Sequence, residues 1–164
     1  MTTVFGINAY HGDSSACLIV DGKLIAAVEE ERFRRIKHWA GLPTESIRYC
    51  LNESGLRLNE IDAIAINQDS KAALWKKISY LLASKPDLSL IINKIKTRLQ
   101  RESIANQLME HFPDQKFLGK VVPVEHHLAH LSSAFHVSSF NDAVVVSVDG
   151  FGDFASGAWG VGHG

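Results

Sequence analysis

Only two cysteines occur in the 164 residues, Cys17 and Cys50, each alone in an apolar setting. That excludes a disulfide framework and makes a reduced, cytoplasmic protein the simpler expectation. No apolar run approaches the roughly 20 residues that cross a bilayer as a helix. The start, Met-Thr-Thr-Val-Phe-Gly-Ile-Asn, lacks the basic end and long apolar stretch of a signal peptide. Charge of one sign is lacking too, since 17 Lys and Arg against 18 Asp and Glu leave a net charge of −1. That removes the electrostatic case for nucleic acid or an anionic membrane as partner. The rest is ordinary: 46% hydrophobic and 21% charged residues fit a soluble globular domain able to bury one core.

Hydropathy patterning predicts a mixed α/β domain. Val4–Asn8, Ser15–Val20 and Lys23–Glu29 read as short strands, the last two joined by Asp21-Gly22, a strong type I′ hairpin signal. Thr44–Glu53 carries capping chemistry at its start and Ile47, Cys50 and Leu51 at helical spacing, with Gly55 as the stop. Ile61–Ile66 is a further strand. From about Lys71 to Phe112 two apolar stripes at helical spacing, broken at Ser84-Lys85-Pro86-Asp87, predict a helical insertion. Val121–Val124 then reads as a strand, Glu125–His136 as a helix, and Ala143–Val148 and Gly157–Val161 as strands.

The chemistry concentrates near the end. His126 and His130 stand four residues apart, so a helix stacks both imidazoles on one face within reach of one ion. Asp149 closes an apolar strand in Val-Ser-Val-Asp-Gly-Phe-Gly-Asp, and completes a three-ligand metal site with open positions for substrate. A zinc protease would carry glutamate directly after the first histidine. Here that place is taken by His127, which sits off the ligand face and suits a supporting or substrate contact. The bland reading is a helix with surface histidines. Gly150 and Gly152 make the turn after Asp149 suitable for facing a phosphate, or simply a hairpin turn.

Two other segments carry candidates. The loop Asn8-Ala9-Tyr10-His11-Gly12-Asp13-Ser14-Ser15 offers backbone N–H groups and hydroxyls around Gly12, Asp13 and Ser14 that can cradle an anion. His11 could serve there as general base or as a donor toward a carbonyl. The competing reading is a solvated turn that caps its own backbone. The run Glu29-Glu30-Glu31-Arg32-Phe33-Arg34-Arg35-Ile36-Lys37-His38 reads mostly as a solvated face. Only Arg32 and Lys37 are exempted, as groups that could turn toward an anionic ligand.

A weak internal repeat links the two ends. Strand, polar turn, small residue, strand describes both Val4–Asn8 with Ser15–Leu18 and Val145–Asp149 with Ser156–Trp159. It predicts a duplicated fold: residues 1–138 as a first lobe with its helical insertion at about 71–112, and 139–164 as the opening hairpin of a truncated second lobe.

Taken together, four sets of residues resemble one family. They are Gly6-Ile7-Asn8 with His11-Gly12-Asp13-Ser14-Ser15-Ala16; Glu29-Glu30-Glu31-Arg32-Phe33 with Lys37-His38; His126-His127-Leu128-Ala129-His130 with Ser133-Ala134-Phe135; and Asp149-Gly150. The family is the O-carbamoyltransferases of nodulation-factor, cephamycin and tobramycin-type pathways. The order and spacing match over nearly the whole chain. The resemblance implies an α/β, actin-like ATPase (ribonuclease H-like) lobe with a mixed sheet, related to the universal tRNA threonylcarbamoyl-transfer protein. It also implies a separate YrdC-type part that makes carbamoyl adenylate from carbamoyl phosphate and ATP, after which the actin-like part moves the carbamoyl group to a hydroxyl acceptor.

By the same resemblance, His126, His130 and Asp149 would hold an iron-like divalent metal, with a further ligand from the second lobe. Manganese and zinc suit the same donors. His11 would sit at the transfer site, and the glycine loops would hold ATP or the adenylate. The remaining lobe and the adenylate-forming part of the same protein are the expected partners, without which the 164 residues should be inactive. Two other readings stand beside this one. A nucleotide-binding lobe of sugar-kinase or chaperone type has no need of an imidazole pair. A non-catalytic binding or assembly module would depend on a partner lobe.

Overall fold

The computed structural model describes residues 1–10, 12–67, 104–152 and 155–164. His11 and most of the expected helical insertion lie outside them. The described residues divide into two compact units between Val122 and Pro123. The histidine helix therefore belongs with the last two strands, whereas the expected boundary at 138/139 separates them.

The first unit is built on β1 (Thr3–Asn8), β2 (Ser15–Val20), β3 (Lys23–Glu29), β4 (Ala63–Ile66) and β5 (Lys120–Pro123), in the order β3-β2-β1-β4-β5. β1 runs antiparallel to β2 and parallel to β4, and β2 runs antiparallel to β3. This is the mixed α/β sheet expected of an actin-like lobe. Asp21 and Gly22 turn the β2–β3 hairpin with φ of 48° and 78°. Both are positive, as a type I′ turn requires and as Gly and Asp tolerate best. β1 is interior to the sheet, and its period-2 alternation puts Thr3, Phe5 and Ile7 fully in the core.

Against β2 and β3 lies a helix that buries Ile47, Cys50 and Leu51, following the short α1 (Glu31–Arg34). This α2 (Thr44–Ser54) ends, as its sequence predicts, on a left-handed Gly55. Its start differs from expectation. Pro43 is the cap residue and offers no side chain, while the Thr44 hydroxyl accepts from Arg34 Nη2 at 3.0 Å. The cap comes instead from Glu30, in the run expected to be solvated. Its carboxylate is fully buried and accepts from Arg34 Nε (2.7 Å), the N–H groups of Glu45 (3.2 Å) and Ser46 (2.8 Å), and the Ser46 hydroxyl (2.9 Å). A negative group there satisfies orphan donors and meets the positive end of the helix. Burial pushes this carboxyl up. The N–H of Ser46, Arg34, the N–H of Glu45 and the Ser46 hydroxyl outweigh it and hold the group below its ordinary value.

Helix α3 (Ile104–His111) is the described part of the expected insertion and sends Leu108 into the core. Both cysteines are free. Burial raises the Cys50 thiol to about 11 and pushes Cys17 up as well, so both behave as small apolar residues.

The second unit contains α4 (His126–Phe135), β6 (Asp142–Gly152) and β7 (Ala155–His163). β6 and β7 form an antiparallel hairpin whose register shifts between Val148 and Gly152. Like β1 and β2, the two segments matched by the sequence repeat are thus both antiparallel pairs. Helix α4 packs on one face of this hairpin. There Gly162 is required, because a β-carbon would come within 2.5 Å of the Phe135 ring.

Candidate metal centre

Glu125 starts α4 by accepting the Leu128 N–H at 2.7 Å, a side-chain cap that fixes where the first turn begins. From that start, His126 and His130 fall on one face with ring centroids 4.7 Å apart. Asp149 reaches them from an irregular stretch of β6. Val148 pairs with Gly157 and Gly152 with Ala155, so Asp149, Gly150 and Phe151 stand opposite Ser156 alone. Such bulges bend a strand and re-aim a side chain.

The three ligand atoms lie within 4.8 Å of one another. Asp149 Oδ2 accepts from His126 Nε2 at 2.6 Å and lies 3.5 Å from His130 Nε2, and the two Nε2 atoms are 3.2 Å apart. Around a tetrahedral ion with bonds of about 2.0–2.2 Å, ligand atoms stand about 3.3–3.6 Å apart. Two of the three edges already match. The third is drawn in by the hydrogen bond and needs about 1 Å of opening to seat an ion. The donor set therefore fits a divalent cation. The His126 hydrogen bond is the main cause holding the Asp149 carboxyl below its usual range, followed by the Gly150 N–H and the nearby imidazoles. The side chains of His126, Asp149 and His130 are 16%, 39% and 52% exposed, so one side of the cluster is open to a ligand.

His127 lies beside the pair, its ring centroid 5.2 Å from that of His126 and 6.4 Å from that of His130, and is 1% exposed. Its Nδ1 lies 3.0 Å from the Ser147 hydroxyl and its Nε2 3.1 Å from the Ala155 carbonyl. Ser147 itself is almost fully buried. Sequence reasoning did not single it out, although a signal was there. It is the one hydroxyl in an apolar strand, two residues before Asp149 and so on the same strand face. Gly150 donates its N–H to the Asp149 carboxylate at 2.6 Å, and Gly152 sits in the ladder opposite Ala155.

In the first unit the expected anion loop is tied down from beside it. The Ser14 hydroxyl is buried, donating to the Gly41 carbonyl at 3.0 Å and accepting the Gly41 N–H at 3.1 Å. The carbonyls of Gly12 and Asp13 accept from Asn8 Nδ2, and the Asp13 carboxylate faces His38 Nδ1 at 2.9 Å. Arg32 is exposed and paired with Glu29 at 3.4 Å and Glu31 at 3.9 Å. Lys37, with Glu31, Arg32, Arg35 and Ile36, lines a surface depression of about 250 Å³. Arg34, by contrast, is held by Glu30 and by the Trp39 ring, 4.4 Å from its guanidinium carbon.

No helix among the described residues is long and apolar enough to cross a membrane. The chain resembles the nodulation protein NolNO of Sinorhizobium fredii, at 38% identity over 157 residues, 96% of this chain and 22% of that protein. It is 35% identical over 163 residues to the uncharacterized protein sll1178 of Synechocystis sp., 95% of this chain and 26% of that one. Among solved structures, YeaZ from Pseudomonas aeruginosa is similar with a TM-score of 0.45 and 16% identity, over 92% of this chain and 55% of that one. The chain spans about a quarter of the length of the curated relatives it matches. Residues 3–164 match the family described as carbamoyltransferase N-terminus, and the chain belongs to that family.

Proposed function

We propose that this chain is the N-terminal part of an O-carbamoyltransferase, which moves a carbamoyl group from carbamoyl adenylate to a hydroxyl of a small-molecule or sugar acceptor. The adenylate would be made from carbamoyl phosphate and ATP by another part of the same protein. Family membership supports carbamoyl transfer, and the convergence of His126, His130 and Asp149 is the observation that carries the rest. Iron is the favoured ion, with manganese and zinc served by the same donors. When bound, the cation supplies positive charge beside the leaving phosphate.

The residues do the positioning. Asp149, whose carboxyl its hydrogen bonds hold below the usual range, would supply the anionic ligand, and His126 and His130 would supply imidazole nitrogens. In the transfer step the acceptor oxygen bonds to the carbamoyl carbon, and the bond from that carbon to the phosphate oxygen breaks. AMP departs, and the hydroxyl proton passes to His11. Within the first unit the loop at Gly12 to Ser14 is a candidate nucleotide contact, with Arg32 and Lys37 as anion contacts; within the second the turn at Gly150 to Gly152 is another. The two free thiols suit a cytoplasmic setting.

The test uses the full-length protein with carbamoyl phosphate, ATP and a panel of hydroxylated acceptors, following AMP and carbamoylated product by mass spectrometry. Product formation that is lost in His126→Ala, Asp149→Ala and His11→Ala supports the assignment. Unchanged turnover in the metal-site variants overturns it. A second reading, a non-catalytic module, draws on the bare valine face of the β6–β7 hairpin. It expects metal binding without any carbamoylated product.

A further inference from the structure

We propose that His127 is a positioning residue: it locks the rotation of α4 on the β6–β7 hairpin and so sets the spacing of His126, His130 and Asp149. The inference rests on the metal reading above. Both ring nitrogens of His127 are committed to the hairpin. The Ala155 carbonyl can only accept, so Nε2 carries a proton and donates at 3.1 Å. In the neutral ring the Ser147 hydroxyl then donates to Nδ1 at 3.0 Å. The two anchors lie on different strands and flank the bulge that projects Asp149. One buried side chain thus grips the sheet on both sides of a ligand, from the helix position next to another ligand.

The magnitudes favour a positioning role over plain packing. A helix with its side chains is about 5–6 Å in radius, so 10° of rotation shifts a surface atom by about 1 Å. A metal constellation tolerates only about 0.5 Å and 10–20° before it loosens. Apolar contacts resist such rotation poorly, because they are non-directional, whereas two hydrogen bonds at about 3 Å define an angle. Among the described residues of this unit only His127 and Ser147 are buried. They are hydrogen-bonded to each other.

The experiment loads metal-free, full-length protein with Co²⁺ and records affinity and the visible d–d spectrum, with thermal unfolding of the metal-free form alongside. His127→Leu removes both bonds at similar volume. Ser147→Ala removes one bond and keeps the ring, which guards against a variant that fails to fold. His127→Asn retains an acceptor near the Nδ1 position. We expect His127→Leu to bind about 10–100-fold more weakly with an altered spectrum, Ser147→Ala to weaken less, and His127→Asn to recover part of the affinity. Wild-type affinity and spectrum in both His127→Leu and Ser147→Ala would overturn the proposal while leaving the metal site standing. If the wild type binds no Co²⁺, or binds it no differently from His126→Ala, the metal reading itself fails and takes this role with it.

Discussion

The two units hold their shapes by different means. In the first, Phe5, Leu18, Ile47, Leu58 and Ile64 are essentially sealed from water, and the central strand β1 buries every second residue. In the second, the buried residues among those described are a histidine and a serine. The hairpin has one face on α4, while Val144, Val146 and Val148 with their cross-strand neighbours Trp159 and Val161 are each more than half exposed on the other. The comparison separates two jobs. Bulk apolar burial supplies stability and is tolerant of detail, whereas a ligand triad needs direction, which hydrogen bonds supply.

The largest way to break that comparison is in the first core. Phe5→Ala should cost about 3–5 kcal/mol, read as a fall in the urea midpoint, and an effect below about 1 kcal/mol would show that the sheet is not the stability centre.

Glu30→Gln comes next, at about 3 kcal/mol, because it leaves Arg34 and the α2 N-terminus facing a neutral group. Since the folded-state carboxyl lies below its ordinary value, its contribution is fully present above the usual carboxylate range. It declines as pH falls below the usual carboxylate range and is gone once pH has passed the lowered folded value. Unfolding midpoints measured across that window should converge for wild type and variant.

In the second unit Gly162→Ala should cost about 1–3 kcal/mol by pushing Phe135 and α4 outward. It should weaken metal binding in the same sample, seen by titration with Co²⁺. The smallest effect sharpens the contrast: Val146→Thr on the bare face should shift stability by no more than about 0.5 kcal/mol, by the same urea measurement. A larger loss would mean that this face is covered.

Much of the fold was legible because its signals are local. The alternation in β1, the Asp21-Gly22 turn, the Gly55 stop and the four-residue histidine spacing each lie within a few residues. What escaped was set by partners far along the chain. Glu30 looks like any member of a charged run until Ser46 and Arg34 close around it, and no periodicity marks it. Thr44 looks like a helix cap, but the role passes to a carboxylate from another element. His127 reads as a supporting or substrate contact off the ligand face, but which contact it makes is decided by Ser147 and Ala155, 20 and 28 residues on. The convergence of His126, His130 and Asp149 was readable as a set, whereas the buried Ser147 that His127 meets was not.

The convergence of His126, His130 and Asp149 also has a consequence for the order of events during synthesis. Its three members lie between residues 126 and 149, and the longest link spans 23 positions. Closing so short a loop is cheap, and each doubling of length would add only about 0.6 kcal/mol. The parallel pairing of β1 with β4, by contrast, joins segments about 60 residues apart, as Val4 with Ala63 illustrates. Local contacts form fastest. On a ribosome delivering chain from the N-terminus, these three side chains can meet as soon as their own hairpin emerges.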